Sequence, residues 1–217
     1  MNSIRFIISF FFCISLFSCH NNPVPGVRHA EWFVDSYFNA CEISIENEEL
    51  VSSPDGSFLI LKLEGSGGGT EEFRRSIGDY GGDYARAKPS CASINRFEKV
   101  IVTSDKEFNG TPAGKPIENG IFICAATAYP EIINKKGGYS DQESFAEKGS
   151  FPFYGMNRDY YWYRKNISNL EPDDLFLLDR ILYLQFVQIP NEKEHNLTIS
   201  FCEAFRDLSV SGRIVFE

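Results

Sequence analysis

Four consecutive rings, Tyr160, Tyr161, Trp162 and Tyr163, stand between Arg158 and Arg164, with Asn157 and Asp159 alongside. Aromatic faces stack on the apolar faces of pyranose rings while Arg and Asn take the hydroxyls. An exposed row of this kind is therefore a platform for a glycan. Consecutive side chains on a strand alternate between its two faces, however. The competing reading puts half of these rings in the core and the others against a protein partner.

A second concentration of chemistry is acidic. Residues 171–174 read EPDD, with Asp179 close behind. Such oxygen donors suit calcium, but the spacing is not that of an EF-hand loop, and an acidic cap on an exposed turn accounts for it. Two carboxylates are all that a glycosidase requires, so a carboxylate-dependent hydrolase stands as a third reading. Imidazole chemistry has little to work with. His20 and His29 lie near the N-terminus, and His195 falls in a predicted turn beside Glu192 and Glu194, where it reads as a surface residue. That leaves no base for a Ser or Cys nucleophile and no paired ligands for zinc. The run GSGGGT at residues 65–70 follows a strand, as phosphate loops do. It lacks the P-loop Lys, and Glu71 and Glu72 would repel phosphate, so a flexible hairpin loop is expected. No catalytic residue, cofactor or metal is assigned.

The N-terminus carries the clearest signal. Arg5 precedes an apolar run, and residues 6–19 are 14 in number, too short to cross a bilayer as a helix. This is the pattern of a secretory signal peptide. It ends in Leu16, Phe17, Ser18 and Cys19, which resembles the lipobox of bacterial lipoproteins. That resemblance implies cleavage before Cys19 and acylation of its sulfur. With about 0.8 kcal/mol per buried methylene, two or three acyl chains anchor a protein stably. The segment after Cys19 contains Pro23, Pro25 and Gly26 and reads as an extended tether. The expected organisation is a signal peptide at 1–18, a lipidated Cys and tether at 19–29, and one domain at 30–217. Localisation follows as the cell envelope, with an outer-membrane protein facing either the periplasm or the surface.

An exported domain meets oxidising conditions, so Cys41, Cys91, Cys124 and Cys202 are candidates for at least one disulfide. They contain no CxxC pair, which removes the zinc-ribbon and thioredoxin patterns. The pairing stays open.

These residues must be positioned by strands. Residues 41–47 alternate Cys41, Ile43 and Ile45 with Glu42, Ser44 and Glu46. Residues 57–64 follow after an Asp55-Gly56 turn, which predicts a hairpin. Further strands are expected at 98–104 and 120–126. At the C-terminus, 181–189, 197–201 and 209–217 read as a three-stranded antiparallel meander, the first of them apolar on both faces. Thr70 is a candidate N-cap for two helical turns through residue 77, and 141–147 is a second short helix candidate. The fold class is mainly β: an antiparallel β-sandwich, Ig-like or related, of about eight strands with one or two short helices.

Composition agrees. The 217 residues suffice for a substantial core, and 43% hydrophobic content excludes a disordered chain. Thirty acidic against 21 basic residues give a net charge of −9, which lacks the basic field that nucleic acid needs. Phe6, Phe10, Phe11, Phe12 and Phe17 leave with the signal peptide, but most of the 20 Phe belong to the domain.

The segment from Tyr84 to Phe122 resembles a family of lipoproteins of similar length from Bacteroides-type bacteria, classed as a domain of unknown function. The shared features are Tyr84, Ala85, Ala87 and Pro89, then Val102, Thr103, Ser104 and Asp105, then Phe108-Asn109 and Pro112, Ala113 and Gly114. The HNLTISF and SGRIVFE strands are also similar. The resemblance implies an envelope lipoprotein and supplies no activity or site residues. The sequence thus supports a lipid-anchored, non-enzymatic binding or assembly protein with a protein or glycan partner. The alternative is a glycan binder using the Tyr160, Tyr161, Trp162 and Tyr163 segment.

Overall fold

β-branched and aromatic residues in runs of five to ten, cut by Gly, Pro and Asn, favour strands over helices. The computed structural model describes residues 32–47, 49–53, 56–79, 91–134 and 161–216, and is mainly β. One sheet contains β1 (Ser36–Ile45), β2 (Val51–Ser53), β3 (Gly56–Gly67), β4 (Cys91–Ser93), β6 (Ile121–Thr127), β7 (Tyr161–Asn166) and β8 (Leu178–Phe186). Its order is β4-β1-β3-β8-β6-β7, with β2 added on β3. The other contains β5 (Lys99–Ser104), β9 (Glu194–Cys202) and β10 (Asp207–Val215), in the order β10-β9-β5. Two short helices, α1 (Glu71–Ile77) and α2 (Tyr129–Asn134), and one 3-10 turn at Ile167–Asn169 complete the described elements.

The main core lies between the sheets. Ile43, Leu61, Leu63, Ile123, Leu182, Leu184 and Phe186 from the first meet Val102, Leu197, Ile199, Phe201, Ile214 and Phe216 from the second. Apolar surface removed from water on both inner faces is what joins them. β8 is central, and its even apolar content has a direct cause. Leu182 and Leu184 face the second sheet, while Tyr183 packs with Phe58, Cys124 and the half-buried Trp162 on the opposite face.

Several expectations hold. β1 and β3 form the antiparallel pair anticipated, with Ile43 opposite Leu63 and Ile45 opposite Leu61. Thr70 caps α1, its Oγ1 accepting from the Phe73 N–H at 3.1 Å, and Gly78 ends the helix in the left-handed region at φ 81°. Arg74 of α1 donates to the Val34 and Asp35 carbonyls at 2.7 and 2.8 Å. The buried Asp79 accepts from Phe33 N–H and the Tyr37 hydroxyl at 2.6 Å each.

Other expectations are corrected. The C-terminal strands are not one meander: β8 belongs to the first sheet, and the chain crosses at 187–193 before β9 and β10 pair in the second. Nor is the pairing wholly antiparallel, because β4 runs parallel to β1. A parallel neighbour needs a crossover, and the excursion containing α1 supplies it. The glycine run is not a free loop. β3 continues through Gly65 to Gly67, and a Cβ on Gly65 would stand 1.9 Å from the Asn39 carbonyl oxygen. A register shift between Ala40 and Glu42 turns Cys41 outward, away from the face expected for it. α2 was not anticipated. The helix candidate at 141–147, the signal peptide at 1–18 and Cys19 with its tether lie outside the described residues.

Candidate functional site

β7 carries the described part of the aromatic segment and, pairing with β6, splits its side chains between the two faces. Tyr163 points inward, is 3% exposed, and donates its hydroxyl to the Asp174 carbonyl at 2.7 Å. A ring so buried cannot stack on a sugar, which corrects its place in the platform. Trp162 lies on the other face, half-buried, with its ring 6.0 Å from that of Tyr183. Arg164 covers the Phe122 ring at 3.6 Å and donates Nε to Gln185 Oε1 at 2.5 Å, so its guanidinium is held by the sheet. Tyr161 begins the strand. Tyr160 and Arg158 lie outside the described residues.

The acidic cluster is bound up with nearby cations and donors. Asp173 accepts from Arg96 and from the Tyr129 hydroxyl, both at 2.7 Å. Asp174 accepts from Lys165 at 2.6 Å and from the Glu171 N–H at 2.8 Å. The Tyr129 hydroxyl is raised above its ordinary range by burial and by the Asp173 carboxylate. Burial also raises the Asp179 carboxyl, opposed by the Arg180 N–H and by the Cys91 thiol 3.6 Å away. Among the described residues no three His, Cys, Asp or Glu side chains form a group able to hold a metal ion.

His195 is not on the surface. It is fully buried on β9, edge-on to Phe108 and Phe216 at 5.2 and 5.8 Å between ring centroids. Its Nε2 lies 2.8 Å from the Glu192 carbonyl, which can only accept, so Nε2 carries a proton. Nδ1 lies 2.8 Å from Ser104 Oγ, and that oxygen accepts from the Lys106 N–H at 3.2 Å. A Ser hydroxyl within reach of an imidazole is the first requirement of a nucleophilic pair. Here both groups are packed under aromatic rings and tie β5 to β9. β9 begins at Glu194, earlier than the charged turn had indicated, and this draws His195 inward.

No disulfide joins Cys41, Cys91, Cys124 and Cys202, which corrects the expectation of at least one. The reason is placement. Cys41 is exposed on β1, Cys124 faces away from the main core on β6, and Cys202 ends β9 in the other sheet.

What the sequence did not indicate is a groove of about 690 Å³ along one open side of the sandwich, lined by β1 and β10. Beyond residues 36–38, where β4 pairs, the Asn95 side chain takes the Ala40 N–H and C=O, after which no strand pairs with β1 on that side among the described residues; β10 is the edge of its sheet. Arg206 closes one end by donating Nη2 to the Cys41 carbonyl at 2.6 Å, and a bridge between Glu49 and Val215 closes the other. Ile45 leans on Gly212, where a Cβ would meet its Cδ1 at 2.6 Å. Glu42 and Glu49 line the groove and are exposed; Arg213 is held by Glu194 at 2.7 Å. Beside the Arg206 end, at the β9–β10 turn, Phe205 is fully exposed. Strand order decides which edges are open, and no local pattern encodes strand order. The one signal available was the small, polar SVSG run of β10.

The fold and this groove define a two-sheet β-sandwich with one open, partly apolar edge. No protein-family model, curated protein or solved structure matches the chain.

Proposed function

We infer that this chain is a lipid-anchored protein of the cell envelope that works by binding another protein along the open edge of its sandwich. The observation that carries the binding half is the full exposure of Phe205 at the end of the β1–β10 groove. An exposed aromatic ring beside two strand edges that no full strand covers among the described residues is the kind of anchor that dominates binding energy in protein interfaces. The anchoring half rests on the apolar leader ending in Cys19, on the Pro-containing tether, and on the resemblance to Bacteroides-type lipoproteins.

Each half has its own test. Cells fed a clickable fatty acid should label the wild-type chain and not the Cys19→Ala variant; label retained by the variant overturns the anchor. A photo-crosslinking amino acid placed at Phe205 should give a discrete adduct in the native host. The same group at Arg75, an exposed site on α1, should give none. Equal adducts from the two positions would overturn the assignment of this edge.

A further inference from the structure

We propose that β10 recruits its partner by strand addition, the occupant being an extended segment of another protein with apolar side chains alternating with Lys or Arg. The proposal rests on the protein-binding reading and gives it a mode and a ligand chemistry; it does not depend on the lipid anchor.

The backbone argument comes from the phase of the two ladders. Phe216 N–H bonds to the Lys193 carbonyl, so by alternation Leu208, Val210, Gly212 and Ile214 bond to β9. Ser209 and Ser211 then turn their N–H and C=O groups toward the open side. On β1, the Glu46 N–H bonds to the Ile60 carbonyl, which by the same rule directs the backbone of Ile43 and Ile45 outward. Two strand edges, one from each sheet, thus present donors and acceptors to the same groove. Native edge strands are normally blunted by Lys, Pro, a bulge or an inward charge. The β10 sequence DLSVSGRIV has none of these, and its Arg213 is drawn across the ladder to Glu194. The other edge of the same sheet is covered: the Ile117 N–H bonds to the Val102 carbonyl and the Gly114 N–H to that of Ser104. From Val210 to Ile214 the edge spans roughly 14 Å, room for about five residues of an added strand in register.

Charge selects the occupant. Glu42 and Glu49 stand exposed on the groove, and its one lining cation is already met by Glu194. A second copy of this chain would bring its own Glu42 and Glu49 to the same surface, under a net charge of −9 per chain. A basic strand meets two carboxylates instead, and its apolar side chains extend the contact toward Val215 and Phe205, which are exposed at opposite ends of β10.

The test uses the purified full chain and three fluorescent heptapeptides: alternating Val and Lys, alternating Val and Glu, and the Val/Lys peptide with N-methylated backbone amides. The first should bind, with slowed hydrogen exchange at the Ser209 and Ser211 amides. The other two should bind about tenfold more weakly or worse, the loss expected when ion pairs become like-charge contacts or the ladder cannot form. Ser211→Pro removes an outward N–H and leaves the β9 ladder intact, as edge positions allow. It should abolish binding, whereas Ser211→Ala should keep it. Glu42→Lys with Glu49→Lys, both at exposed positions, should reverse the peptide preference. Equal affinity for the three peptides, no binding of the Val/Lys peptide, or protection of these amides through self-association without peptide would each overturn the proposal. An adduct from Phe205 in cells would still stand in those cases, so the mode can fail while the binding reading survives.

Discussion

Burial sets the reactivity of the thiols one residue at a time. Cys124 sits 1% exposed beneath Phe58 and Tyr183, and the loss of water around its sulfur pushes its pKa up to about 12, against a smaller pull from Arg164. A thiol four units above the working pH of 8 is thiolate in about one molecule in ten thousand, and only the thiolate alkylates. Cys41 is turned to solvent by the register shift in β1. Iodoacetamide at pH 8 should therefore modify Cys41 in the native protein and reach Cys124 only after denaturant is added. Peptide mass spectrometry over time reads this directly, and alkylation of native Cys124 at a rate comparable to Cys41 would contradict the packing described. The same desolvation pushes the neighbouring Tyr183 hydroxyl up to about 12, so this patch between β6 and β8 stays neutral through the physiological range.

Among the elements, Gly65 controls how β1 and β3 meet. Its hydrogen lies where a Cβ would stand 1.9 Å from Asn39 O and 2.9 Å from Ala40 Cα, both backbone atoms that cannot rotate away. Gly65→Ala should cost about 1–3 kcal/mol, the range for forced overpacking. Gly212→Ala should cost less, because it meets only the flexible end of Ile45. Urea midpoints rank the two, and the reverse order would remove this account of the β1–β3 contact. Much of this level could be read in advance. Alternation located β1, β9 and β10, short apolar runs located β3, β5, β6 and β8, and Thr70 followed by two Glu located α1. What escaped was non-local. The run of glycines looked like a loop because nothing nearby shows that Asn39 packs against it. His195 looked exposed because its neighbours in sequence are charged, while its neighbours in space are Phe108 and Phe216. The groove depends on which strands end up at edges, and strand order is set by the packing of the two sheets.

For the whole molecule, the decisive feature is that one core serves both sheets. Phe216 lies just beyond β10 in the second sheet, fully buried, with its ring 5.2 Å from Phe186 of β8 in the first and 5.6 Å from Phe108. The described residues fall in a single compact unit, Glu31–Glu217. Sheets that share a core lose their inner faces together, so neither can unfold while the other remains folded. Unfolding followed by Trp fluorescence, from Trp162 on the first sheet and Trp32 near α1, should coincide with loss of the far-ultraviolet β signal. Phe216→Ala removes a ring at the centre of that contact and should cost about 3–5 kcal/mol. Both curves should move to lower urea by the same amount. A variant in which the fluorescence transition stays in place while the β signal shifts would mean that the sheets are separate folding units. The open edge would then belong to a three-stranded sheet that moves independently of β1. The groove needs the opposite: its two walls come from different sheets, and only a shared core keeps Ile45 seated against Gly212 so that the outward edges of β1 and β10 stay side by side.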